Sequence, residues 1–215
     1  MKIKYITMLS VCASFSLATD NANAQAEDNP FSGLYAQAGM GYLEKSSEDY
    51  VHFQLGIDKG NNSGWYISYK GGDDDSFDDD LLRGGPIDLG DGVILTGLDA
   101  EAYAITLGFI AGFPSGDNGS FFYGIGLGTG NAQITAKGTV DGTYARGSAN
   151  EDFLVGELFF GLEHRFNDNF SLVGRVFAFY QSNWDITEQI GDSIAVVEND
   201  GNWSLGVDLG LKFTF

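Results

Sequence analysis

The densest patch of ionisable side chains is Asp73-Asp74-Asp75-Ser76-Phe77-Asp78-Asp79-Asp80, six carboxylates in eight residues. Carboxylate oxygens are the usual ligands of hard divalent cations, so Asp73, Asp75, Asp78 and Asp80 are the candidate calcium or magnesium ligands. The run lacks the central glycine and late glutamate of a calcium-binding loop. A solvated, self-repelling external loop without a resident metal is therefore the expectation. A second set is spread thinly through the carboxyl-terminal third: Glu157, Glu163, Arg165, Arg175, Asp208 and Lys212. Three acids balance three bases, and buried charges are tolerated when paired. Such a set could fill an interior as fixed ion pairs, or exchange partners along a gated path. The fixed arrangement is the expectation.

Other reactive groups are few. His52 and His164 are the only histidines, and neither has an obvious serine and carboxylate to complete a nucleophilic set. The alternation Gly124, Gly126, Gly128, Gly130 is not a phosphate loop, because no helix follows it. Cys12 is the single cysteine, so the chain beyond it has no disulfide and no thiol chemistry. No cofactor is expected.

The elements that position these residues are strands. From Trp203 every second residue is large and apolar: Trp203, Leu205, Val207, Leu209, Leu211, Phe213 and Phe215. Between them lie Ser204, Gly206, Asp208, Gly210, Lys212 and Thr214. A side-chain period of two puts all the apolar groups on one face of a strand. A transmembrane barrel uses this pattern inverted, with lipid on the apolar face and a polar interior.

Seven further segments alternate in the same way, at about 33–43, 50–57, 65–70, 103–111, 121–130, 154–166 and 172–180. Their outward faces carry residues such as Leu55, Ile67, Leu107, Ile125, Leu158 and Val176, while His52, Lys70, Thr106 and Arg175 face inward. The predicted fold is all-β: an eight-stranded antiparallel up-and-down transmembrane β-barrel. Short turns fall after Asp58, Phe113 and Phe166, and the intervening connections include three long ones. That asymmetry is characteristic of a barrel with one short-turn end and one long-loop end. Asp141-Gly142 marks a hairpin. The polar hairpins around Asp141 and Gly191 are expected to continue as extended strands beyond the membrane. Phe113, Phe121, Phe166, Phe170, Phe213 and Phe215 cluster near the short turns. Tyr42, Tyr50, Tyr69, Tyr103, Tyr180 and Trp203 lie toward the other rim, so two interfacial aromatic belts are predicted.

The amino end has its own chemistry. Lys2 and Lys4 precede an apolar stretch to about Ala18, followed by Ala22-Asn23-Ala24 and Ala24-Gln25-Ala26. This reads as a secretory signal peptide over 1–26, cut after Ala24 or Ala26, with the barrel over 27–215. The full chain has 11 basic and 30 acidic residues. Without Lys2, Lys4 and Asp20 it keeps 9 and 29, a formal charge near −20, which argues against nucleic acid as a partner.

Two stretches also carry a family resemblance. The last strand, with Trp203, Leu209, Leu211, Phe213 and terminal Phe215, resembles the strand recognised by the assembly machinery of bacterial outer-membrane barrels. Gly161-Leu162-Glu163-His164-Arg165-Phe166 followed by Asn169-Phe170-Ser171-Leu172 resembles a hairpin of the opacity-type and OmpA-like small outer-membrane barrels. His164 stands where a tyrosine is usual. Nothing corresponds to the peptidoglycan-binding domain of longer OmpA proteins.

The resemblance implies a monomer in the bacterial outer membrane, in contact with its lipid and lipopolysaccharide, inserted by the barrel assembly machinery. It implies a non-enzymatic structural or surface-interaction role, with acidic loops meeting an external ligand or host surface. A narrow pore for small solutes is the alternative, and a lipid-A-modifying enzyme a more remote one. His164 is expected to face lipid near the short-turn end, the wrong leaflet for that enzymology.

Overall fold

The computed structural model describes residues 33–44, 48–58, 63–74, 86–90, 92–190, 193–199 and 201–215. The signal-peptide span 1–26 and Asp75, Asp78 and Asp80 lie outside them. The strands are Leu34–Leu43 (β1), Glu48–Asp58 (β2), Gly64–Asp74 (β3), Ile87–Gly90 (β4), Val93–Pro114 (β5) and Gly119–Val140 (β6). They continue with Thr143–Arg165 (β7), Phe170–Gln181 (β8), Trp184–Ile190 (β9), Ser193–Asn199 (β10) and Asn202–Thr214 (β11).

Eight of them form a closed antiparallel ring in the order β1-β2-β3-β5-β6-β7-β8-β11. The ring shuts where β11 meets β1, in register from Tyr35 opposite Thr214 to Leu43 opposite Gly206. Closure leaves the ring without a free edge, the only way a sheet can satisfy its backbone in lipid. The remaining strands are accessory. β4 pairs with β5 beyond the end of β3, and β9 and β10 form their own hairpin.

The side chains are arranged inside out relative to a water-soluble barrel. Trp65, Ile67, Leu107, Ile125, Leu127, Leu158 and Leu209 are exposed on the outer wall, while Gln54, Ser68, Lys70, Thr106, Glu157, Arg175 and Asp208 are buried within. Burying that polar set and exposing that apolar set would both be costly in water. They are favourable when the outer wall meets hydrocarbon.

Local chemistry sets the ends of the ring. Between β7 and β8, the Asn167 side-chain carbonyl accepts the backbone N–H groups of Asn169 at 3.0 Å and Phe170 at 2.8 Å, an Asx turn. The same turn holds β11: Asn169 donates through Nδ2 to the Thr214 carbonyl at 2.7 Å, and the Phe215 N–H donates to Leu34 at 2.9 Å. At the other end, Asp141 and Gly142 join β6 to β7 with φ of 50° and 77°. Two successive positive φ angles are what a tight two-residue hairpin requires.

β5, β6 and β7 run for 22, 22 and 23 residues, well past the part of each that belongs to the ring. The hairpin around Asp141 is therefore an extended sheet, as expected. β9 and β10 likewise bring extended strands to either side of residues 191–192.

Aromatic pairs gird the outer wall near both ends of the ring. Trp65 with Phe109, Phe121 with Phe160, and Phe170 with Phe213 lie toward the short turns, with ring centroids 5.6, 6.2 and 6.3 Å apart. Tyr69 with Tyr103 and Tyr180 with Trp203 lie toward the other rim, at 6.2 and 5.3 Å. Tyr50 is a correction to the expected belt. It shares the strand parity of His52 and Gln54, and its ring is buried inside the barrel.

Candidate functional site

Among the described residues, three acid–base pairs inside the ring link strands that are distant in sequence. Arg175 on β8 faces Asp208 on β11. Its Nε donates to Oδ1 at 2.9 Å and Oδ2 at 3.0 Å, and Nη2 donates to Oδ2 at 2.6 Å. The rest of the guanidinium is also engaged: Nη1 donates to Gln54 at 2.9 Å, and Nη2 meets His52 Nε2 at 2.8 Å. Arginine has no acceptor, so the histidine nitrogen accepts. Tyr50 adds a hydroxyl donor to Asp208 at 3.2 Å, and Gln54 passes a hydrogen bond to the Tyr35 hydroxyl at 2.7 Å.

The second pair is Lys70 on β3 with Glu157 on β7. The Glu157 carboxylate also accepts from Tyr66 at 2.9 Å and Thr106 at 2.7 Å, with Ser68 at 3.4 Å. Its residue is 2% exposed, and this donor shell is what makes a carboxylate tolerable at that burial. The third pair is Lys212 on β11 with Glu163 on β7, at 2.9 Å. An eight-stranded interior is only wide enough for side chains, and here those side chains neutralise one another.

One construction repeats three times. Each cation lies between a carboxylate and an aromatic ring, and each ring rests on a glycine of a neighbouring strand. Lys212 is 4.7 Å from the Tyr35 centroid, Arg175 is 5.2 Å from Phe159, and Lys70 is 5.6 Å from Phe177. A Cβ built on Gly56, Gly124 or Gly206 would strike Tyr35, Phe159 or Phe177 respectively. The missing side chains make room for the rings, and the rings offer negative faces to cations already paired with acids. Within the inward glycine alternation of β6, Gly124, Gly126 and Gly130 lie under Phe159, Tyr66 and Phe153, while Gly128 lies against the backbone of Ile105 and Thr106.

The structure brings together five of the six charged residues read from sequence: Glu157, Glu163, Arg175, Asp208 and Lys212. Arg165 is a correction. It shares the parity of Glu163 but is the last residue of β7 and is exposed. Its backbone bonds to Asn118 across the turn, at 2.7 Å. The third base inside is Lys70. Parity placed Lys70 on an inward face, but its acid is 87 positions away. Gln54, Tyr66 and Thr106 were missed for the same reason, since only their inward alternation is visible in the sequence.

The other candidates fall as follows. Asp73 lies near the end of β3, its backbone opposite Glu101 on β5. His52 is buried beside Arg175, while His164 is on the outer wall with its ring 5.4 Å from Phe166. Trp203, Leu209 and Leu211 are exposed outward on β11, and Phe213 packs against Phe215 at 5.1 Å.

No protein-family model matches the chain, and no curated protein matches it. Solved structures do. Neisserial surface protein A aligns with a TM-score of 0.53 at 14% identity, over 86% of this chain and 98% of its own. A major outer membrane protein from Thermus thermophilus aligns with a TM-score of 0.51 at 15% identity, over 85% of this chain and 98% of its own. At such identities the likeness is one of architecture: this chain has the fold of the small eight-stranded outer-membrane β-barrels.

Proposed function

We propose that this chain is a non-enzymatic barrel of the bacterial outer membrane whose lumen is plugged by its charged network and whose acidic outer loops meet molecules outside the cell. The single observation that carries the reading is the threefold repetition of buried ion pair, ring and glycine across the ring's interior. A conduit needs mobile or hydrated charge along its path. Here each of the three cations has a carboxylate and a ring face, and two of the carboxylates have further donors. The cavity at the short-turn end, beside Lys212 and Glu163, has a volume of only about 10 Å³.

With the interior given over to holding the wall, interaction falls to the projecting strands and loops, where binding residues on rigid scaffolds usually sit. Their acidity favours basic or cation-bridged partners, including lipopolysaccharide held through divalent ions. Insertion would follow recognition of the last strand, through Trp203, Leu209, Leu211, Phe213 and Phe215, by the barrel assembly machinery.

The test is electrical. The mature chain is refolded into lipid, its folding is checked by a heat-dependent gel shift, and current is recorded across a planar bilayer. A folded, silent barrel is expected. Reproducible current steps that change when Arg175 is replaced by alanine would make the protein a narrow pore instead.

A further inference from the structure

The cavity at the short-turn end has contents that its size and lining define. It is bounded by residues from seven of the ring's eight strands, among them Tyr35, Gln37, Asp58, Phe122, Glu163 and Lys212, so it sits on the barrel axis. Its volume of about 10 Å³ is close to one water-sized probe. Gln37, 4% exposed, reaches this space with an amide whose Nε2 has no partner among the described residues. An unpaired buried amide donor costs about 1–3 kcal/mol, so a partner within reach is expected.

We infer that this cavity is a binding site for a single ordered water, which accepts from Gln37 Nε2 and donates to the Glu163 carboxylate. Charge and size select water over other small ligands. A cation would face the Gln37 donor and the Lys212 ammonium, which is already 2.9 Å from Glu163. An anion would face the carboxylates of Glu163 and Asp58. Water alone can both accept from the amide and donate to the acid. Its position gives the plug a wet end. The Lys212–Glu163 pair is hydrated from the short-turn mouth, and the Arg175 and Lys70 pairs lie beyond it. The inference rests on the closed-lumen reading but fails separately from it, because conductance tests one and water contact the other.

The experiment is water-selective nuclear Overhauser spectroscopy on the full mature barrel in lipid nanodiscs, with the glutamine side chains labelled. The Gln37 amide should show a cross-peak to water with the sign of a bound molecule, and the Gln54 amide, which donates to Tyr35, should show none. A Gln37→Leu variant that keeps the heat-dependent gel shift should lose the water cross-peak at the Tyr35 ring. A Gln37 amide without water contact would overturn the site. So would a Tyr35 water signal unchanged in the variant.

Discussion

Arg175 and Asp208 are directly opposite each other in the β8–β11 ladder, and the guanidinium meets both carboxylate oxygens through three hydrogen bonds of 2.6–3.0 Å. Both residues are buried. Replacing Arg175 by alanine strands a buried carboxylate, which typically costs about 3–5 kcal/mol. Equilibrium unfolding in urea from lipid vesicles should show a loss of that order for R175A. The double change Arg175→Met with Asp208→Leu should lose much less, because an apolar pair leaves no orphan charge. Equal losses in the two variants would mean that packing, and not charge, is what Arg175 supplies.

The glycine seats give a second expectation. A side chain at Gly124 would collide with the ring of Phe159, the ring that faces Arg175. Gly124→Val should cost about 1–3 kcal/mol by overpacking. Adding Phe159→Ala should restore part of it by vacating the seat. The denaturant midpoints of the two single variants and the double variant decide this, and strictly additive losses would refute the pairing.

Lipid contact on the outer wall can be probed by depth. Leu107 is 61% exposed in the middle of the apolar band, and an arginine there should cost about 2–4 kcal/mol. Gln133 faces outward on β6 at the far rim, opposite Glu101, and Gln133→Arg should change stability by less than about 1 kcal/mol. Similar costs at both positions would place the membrane boundary elsewhere.

The end of β11 separates folding from delivery. Removing Phe215 takes away, among its contacts, the backbone bond to Leu34 and the ring contact to Phe213, all at the very end of the finished barrel. In cells, the variant lacking Phe215 should yield markedly less heat-modifiable barrel, whereas the purified chain should refold into lipid almost as well as the parent. Equal yields in cells would remove Phe215 from the assembly signal.

Alternation made the ring legible. The parity of Leu205, Val207 and Leu209 against Gly206 and Asp208 names both the outer and inner faces of β11, and the same holds for the seven other strands. Parity fails where strands end. Arg165 shares the parity of Glu163, yet β7 leaves the barrel there and the guanidinium reaches solvent. Tyr50 failed in the opposite sense: grouped by type with the rim tyrosines, it obeys the parity of His52 and turns inward. The pairing of charges was unreadable for a different reason. Which acid meets Lys70 depends on how the strands are staggered around the barrel, and no local pattern around residues 70 or 157 encodes that stagger.

The three overlong strands give an otherwise near-symmetric cylinder a front and a back. From Thr135 to Val140, β6 continues six residues past the last pairing of β5 with β3, a contour of roughly 20 Å at the usual rise per residue. Even with a tilt near 45° this lifts the Asp141 tip roughly 14 Å clear of the rim. On the opposite side, β1 and β2 are joined by the few residues between Leu43 and Glu48. Any large molecule approaching that end along the membrane normal would touch the mast of β5, β6 and β7 first. The low side would stay close to the membrane surface.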